Sequence, residues 1–276
     1  MTLWTTSERE DPELGRWRTW RRATGAAVRP FAPAVTGYDQ HSRSGGVHVT
    51  PANSMVPLVI PLVGRHRIHS PGRDPQEVPA FLAGIVDGAG SVEADAFCGL
   101  QVDLTPIGAY RLTGGALGEL AGGVASLEDV LGPGARRLIE RLGNTDGWPA
   151  RFDVLEEFLT TRIESGPEPA PEVVEAWDVI GGRGGRVSVA DLAREVGWSP
   201  RHLRQRMRRQ LGVPPKVLAR IVRFQHALRM LEGARRGDLG KLAHATGYYD
   251  QAHFTNEVSS LAGRSPLDYA AFRSPA

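Results

Sequence analysis

The chain contains a single cysteine, Cys98, in the apolar setting AFCGL. It offers neither an internal disulfide nor a cysteine-based zinc site, which excludes disulfide-stapled scaffolds and most zinc-dependent DNA binders. Cys98 itself is expected to be inert core. Lysine is almost as scarce, with 31 of the 33 cations being arginine. Arginine is suited to bidentate contacts with phosphate or guanine, although a GC-rich genome would produce the same bias. No run of about 18 apolar residues is present, so a membrane-spanning helix is not expected. The opening stretch MTLWTTSEREDPELGRWRTWRR is acidic before it turns basic, unlike a signal peptide. A soluble, cytoplasmic protein is the expectation.

What is present points to two parts. At 276 residues and 41% hydrophobic content, the chain can form one large or two ordinary domains with a core in each. The net charge of +2 conceals a strong asymmetry. Residues 1–182 carry 16 Lys+Arg against 24 Asp+Glu, whereas residues 183–276 carry 17 against 7. A basic C-terminal third on an acidic body suits a polyanionic partner.

The clearest boundary is IGGRGGRVS, residues 180–188, where four glycines read as a short flexible junction. Residues 1–180 and 181–276 are accordingly expected to be separate domains. A weaker break, ESGPEPAPE, spans residues 164–172. In the first hundred residues, HVTPANSMVPLVIPLV and FCGLQVDL read as strands. From Thr105 onward helices take over: TPIGAYRL begins with a Thr cap and Pro at the first helical position, and SLEDVLG with a Ser cap. PGARRLIERL and FDVLEEFLTTRI have helical apolar spacing. The fold class expected is α+β, with a β-rich N-terminal domain and helical layer ahead of an all-α C-terminal domain.

The C-terminal part contains an internal repeat. Leu192, Ala193 and Gly197 recur fifty residues later as Leu242, Ala243 and Gly247, and Leu203, Met207, Gly212 and Pro215 recur fifty-one later as Phe254, Val258, Gly263 and Pro266. Two copies are too few for a solenoid and indicate a tandem motif. In the first copy Ser188 and Asp191 have capping-box spacing, Gly197 can end one helix, and Ser199 with Pro200 starts the next. With Leu203 buried, Met207 and Gln210 fall within about 40° of it. The opposite arc is Arg201, Arg204, Gln205 and Arg208. A charged arc is often only a solvated helix face. This one lacks any carboxylate and lies on the second helix of a turn motif, where Arg could read guanine, Gln adenine, and the remaining cations could grip phosphate.

In the second copy Asp238 is expected to cap the first helix, Gly247 to end it, and Asp250 to cap the helix beginning at Gln251. Tyr248 and Tyr249 occupy the turn, where packing between helices is expected, with at least one hydroxyl reaching solvent or a phosphate. The outward arc is Ala252, Thr255, Asn256 and Ser259, which is uncharged. It could contact thymine methyl groups and adenine but supplies no grip on phosphate. Between the copies, a helix over Val217–Leu231 would be about 22 Å long, a rod able to hold two recognition helices about one DNA turn, near 34 Å, apart.

The two units, the linker RFQHALRML and the signature GYYDQAHF…LAGRSPLDY together resemble the C-terminal DNA-binding domain of the AraC/XylS family of bacterial transcription regulators. The resemblance covers roughly the last ninety residues. It implies double-stranded DNA as partner, contacted by Ser199, Arg201, Arg204, Gln205 and Arg208 in the first unit and by Gln251, Ala252, Thr255 and Asn256 in the second. After the His-Phe pair, where the family usually has Arg, an aromatic residue and Lys, this chain has Asn256, Val258 and Ser259, so the first unit is expected to dominate. The N-terminal region is similar, more loosely, to the cupin-like β-barrel regulatory domain of such proteins. That implies a small-molecule effector, pairing of two chains, and contact with RNA polymerase.

Other function classes fit less well. His41, His48, His66 and His69 lack the clustered spacing of a metal-dependent cupin enzyme, so no metal and no cofactor are expected. One cysteine cannot serve a zinc-containing repair methyltransferase. No Ser/His/Asp constellation can be assigned, and the glycines of LTGGALGELAGG lack phosphate-loop spacing, so no enzyme is expected. Trp17, Trp20, Phe31 and Tyr38 could stack on an effector but are more often core residues. The competing reading is an interaction protein whose C-terminal module pairs with other regulators and binds DNA weakly or not at all.

Overall fold

The computed structural model describes residues 4–11, 15–41, 46–120, 122–231 and 239–273. Its N-terminal half contains two antiparallel sheets. The larger comprises β1 (Trp4–Asp11), β2 (Gly15–Ala23), β3 (Ala34–His41), β5 (Val56–Pro61), β8 (Phe81–Ala83), β10 (Cys98–Leu104) and β11 (Val124–Ser126), in the order β1-β2-β3-β10-β5-β8-β11. The smaller comprises β4 (Gly46–Thr50), β6 (His66–His69), β7 (Gln76–Val78) and β9 (Gly90–Ala94), in the order β4-β9-β6-β7.

Alternation along the strands divides the core between two faces. Val56, Leu58 and Ile60 of β5 join the large cluster shared with the helices, while Val59 joins a smaller cluster with Tyr38, Ile68, Val78, Phe81, Ala94 and Phe97. The smaller cluster draws on both sheets and therefore lies between them. His66 is buried within it, its ring 5.4 Å from Phe97 and 6.1 Å from Phe81, and neither ring nitrogen has a hydrogen-bond partner. Burial lowers its pKa to about 4. The unfolded chain therefore takes up a proton near pH 6.5 that the folded chain refuses until about pH 4. Stability is complete above this window and falls as the pH drops through it, by up to about 3 kcal/mol. Urea unfolding between pH 7 and 4 should show this slope, and His66→Leu should flatten it.

The helices that follow are α1 (Pro106–Leu112), α2 (Leu117–Leu120), α3 (Leu127–Leu131), α4 (Pro133–Gly143), α5 (Trp148–Glu164) and α6 (Pro171–Gly182). Local capping starts α1 and α3: Thr105 accepts from the amide of Gly108, and Ser126 from that of Asp129. Helix α5 lies on the larger sheet, where its Trp148 stacks on Trp20 at 4.6 Å and fills the space above Gly37, whose missing Cβ would overlap the indole. Buried Arg22 fastens the same helix by ion pairs with Asp153 and Glu156 and lies over the Phe152 ring.

The remaining helices are α7 (Val189–Glu195), α8 (Pro200–Leu211), α9 (Pro215–Leu231), α10 (Leu239–Ala245), α11 (Gln251–Ala262) and α12 (Pro266–Arg273). The glycine junction expected to be flexible is instead a packed turn. Helix α6 runs through to Gly182, Gly184 and Gly185 adopt positive φ, and buried Gly185 abuts the Ala219 carbonyl of α9, where a Cβ would clash. Helix α6 also packs on α7, α8 and α9. No described helix is long and apolar enough to cross a membrane.

Candidate nucleic-acid interface

Each C-terminal unit is built from local signals. At the start of α7 the Ser188 hydroxyl accepts from the Asp191 amide at 3.1 Å and donates to its carboxylate at 2.7 Å. That hydrogen bond, with a further one from Arg194, lowers the Asp191 pKa. Gly197, at φ 70°, turns the chain, Ser199 accepts from the His202 amide at 3.2 Å, and Pro200 opens α8. Gly212 closes α8 in the left-handed conformation.

Leu203, Met207, Gln210 and Leu211 form the buried side of α8. Arg201, Arg204, Gln205 and Arg208 are all exposed, as is Ser199 at the helix start. Among the described residues, none of these three arginines forms an ion pair, so the face projects uncompensated positive charge. Sequence reasoning missed Trp198, whose ring meets His202 edge-on at 4.6 Å and underlies the Arg206 guanidinium. It also missed the function of Gln210, whose Oε1 accepts from the Ala170 amide at 3.1 Å and ties the end of α8 to the start of α6.

In the second unit, Asp238 lies outside the described residues. Gly247 has φ 80°, and Asp250 accepts from the His253 amide at 2.7 Å to cap α11. Asp250→Ala should cost about 1 kcal/mol, measurable by thermal unfolding. The two turn tyrosines have different environments: Tyr248 is 3% exposed and Tyr249 90%. Tyr248 packs edge-on against His253 and Phe254 beneath the Arg223 guanidinium. Burial, assisted by nearby Glu257, raises its pKa to about 12, so the phenol stays neutral. Phe254 and Val258 are buried, Gln251, Ala252 and Asn256 are exposed, and Thr255 and Ser259 are half-buried. The α11 carboxylate, Glu257, faces inward and gathers Arg223 at 3.0 Å, Arg220 at 3.3 Å and His253 at 3.6 Å. The outward positions of α11 are therefore uncharged, in contrast to those of α8.

Helix α9 joins the units over 17 residues, about 25 Å, extending the expected helix by Pro215 and Lys216. Its buried side includes Leu218, Ile221, Val222, Phe224, Leu228 and Leu231. Both units also dock on the N-terminal half. The Ala52 and Ala89 amides donate to the carbonyls of Leu261 and Ser260 at the end of α11, at 2.7 and 3.3 Å. Arg220 pairs with Asp87, and Gln225 bridges Ser54 and Asn53. Gly118 of α2 abuts the Arg209 carbonyl so closely that a Cβ would clash. These contacts leave the arginine face of α8 open. No group of three or more His, Cys, Asp or Glu able to hold a metal occurs among the described residues.

Comparison with known proteins matches residues 192–271 to the helix-turn-helix domain family. The uncharacterized HTH-type transcriptional regulator YbfI of Bacillus subtilis is 32% identical over 107 residues, covering 36% of this chain and 38% of that protein. The HTH-type transcriptional regulator GlxA of Rhizobium meliloti is 35% identical over 75 residues, covering 27% of this chain and 23% of that protein. The matched stretches thus span well under half the length of these relatives. Among solved structures, ToxT from Vibrio cholerae aligns with a TM-score of 0.46 at 12% identity, covering 83% of this chain and 99% of its own. The C-terminal domain of AraT, a response regulator from Geobacillus stearothermophilus, aligns at 0.37 and 21% identity, covering 40% and 92%.

Proposed function

We propose that this chain is a sequence-specific DNA-binding regulator of transcription of the AraC type, acting in the cytoplasm, with the first unit dominating the contact; the match of residues 192–271 to the helix-turn-helix domain family supports the reading. The carrying observation is the exposed, unpaired face of Arg201, Arg204, Gln205 and Arg208 on α8. In one major groove Arg204 and its neighbours contact guanine edges and phosphates, with Gln205 matched to adenine and the Ser199 hydroxyl near the backbone. Gln251, Ala252, Thr255 and Asn256 contact the next groove more weakly. Residues 1–180 act as the regulatory part and 181–276 as the DNA-binding part, with α6 packing across the division. No reaction is assigned to the chain. A small-molecule effector, a second copy of the chain and RNA polymerase remain partners suggested by family resemblance.

The uncharged outward positions of α11 favour a second reading, an interaction protein that pairs with other regulators. Salt separates the two. A reader gripping several phosphates loses affinity steeply with rising salt, whereas a protein-pairing module need not. Genomic DNA fragments captured by the full chain at two salt concentrations, then sequenced, should yield a motif of two blocks about one helical turn apart, one sharper than the other. Absence of any motif, with weak and salt-insensitive binding, would favour the interaction protein.

A further inference from the structure

We infer that Arg186 is a positioning residue that fixes the orientation of the second helix-turn-helix unit relative to the first; its effect on DNA reading rests on the function proposed above. Arg186 lies two residues before Ser188, the N-cap of α7, so its backbone belongs to the entry of the first unit. Its side chain reaches the second unit: Nη1 donates to the carbonyl of Ala245, the last residue of α10, at 3.2 Å. That carbonyl is among those a helix end leaves without an intrahelical partner, and the cation complements the negative end of the helix.

Two glycines make this reach possible. Gly247, in the turn from α10 to α11, has φ 80°, and the Arg186 stem lies over it, with Cγ and Cδ 3.3 Å from where a Cβ would sit. Gly185, on the other side, has φ 75° and is packed against the Ala219 carbonyl and the Arg223 amide of α9. The backbone of residue 186 is thus seated on the linker helix while its side chain braces the turn beyond α10. Helix α9 sets the separation of the two units, and α11 is tied to it through Glu257 with Arg220 and Arg223 and to the N-terminal half through Leu261 and Ser260. Arg186 adds a direct strut from the entry of α7 to the end of α10, limiting the rotation of α10 relative to the first unit. Unlike those of Arg201, Arg204 and Arg208 on α8, its guanidinium is used within the protein.

The test uses the full chain with and without DNA. In a Cys98→Ala background, spin labels at Ala190→Cys on α7 and His244→Cys on α10 report the distance between the units. Arg186→Ala should broaden that distribution, and Arg186→Lys, which keeps a donor for the Ala245 carbonyl, should narrow it again in part. An unchanged distribution in Arg186→Ala would overturn the inference. On DNA, Arg186→Ala should retain affinity for the first block alone within about twofold. It should lose roughly tenfold on the two-block duplex and tolerate insertion of one or two base pairs between blocks better than the unsubstituted chain. Equal losses on one-block and two-block duplexes would make Arg186 a phosphate contact or a folding residue, against the inference. If the unsubstituted chain selects no operator, the DNA-reading proposal fails while the spin-label result still decides the strut.

Discussion

Replacing Arg201, Arg204 and Arg208 together by alanine is expected to lower the DNA affinity of the full chain by about three orders of magnitude and to flatten its salt dependence. Each well-placed arginine contact to guanine discriminates by ~1–3 kcal/mol, and about 1.4 kcal/mol is tenfold. Three such losses of about 1.4 kcal/mol each, inside that range, give the expected figure. If these cations also displace counterions, the slope of log K against log salt should become shallower by roughly two to three. Folding should be little affected, because the three side chains are exposed and form no ion pair among the described residues, and alanine is a good helix former. Singly, Arg204→Ala should cost ~1–3 kcal/mol at one base position, and Asn256→Ala less. Equal losses at the two positions would refute the unequal halves.

The largest expected effect on stability is at Phe254. Its side chain is fully buried, packed edge-on by Tyr248 and followed along the same buried side of α11 by Val258 and Leu261. Truncation to alanine removes the ring and leaves a cavity, which in a close-packed interior costs about 3–5 kcal/mol. The loss extends beyond α11 because the same helix accepts hydrogen bonds from Ala52 and Ala89 and supplies Glu257 to Arg220 and Arg223. Thermal or urea unfolding should show the loss, whereas Ala252→Ser on the exposed face should change stability by under about 0.5 kcal/mol. A near-neutral Phe254→Ala would contradict the packing described for the second unit.

Much of the C-terminal half was legible because its signals are local. The caps at Ser188, Ser199 and Asp250 need only side-chain oxygens near amides two or three residues on, and the placement of Leu203, Met207 and Gln210 on one side of α8 follows from 100° per residue. The caps of α1 and α3 were equally readable. Strands β1 and β2 were not. Their sequences, WTTSERED and GRWRTWRRA, mix charge with aromatic residues, and their pairing becomes evident only beside β3. The glycines at 181–185 signal a change of direction, but composition alone does not distinguish a loose linker from a turn packed on α9. Long-range contacts carry no local signature at all. Glu257 is one polar residue in a helix until Arg220 and Arg223 are brought to it, and nothing near Gln210 indicates that its partner is Ala170.

The proposed inequality of the two units in reading DNA is tested most directly by guanine N7 methylation interference on the selected operator with the unsubstituted full chain. Arginine reads guanine through O6 and N7, whereas the exposed residues of α11 include no arginine. Strong interference is expected at guanines of one block only, disappearing at one of those positions in Arg204→Ala. Interference of equal strength in both blocks, or persistence of the whole pattern in Arg204→Ala, would rule out a dominant α8 contact.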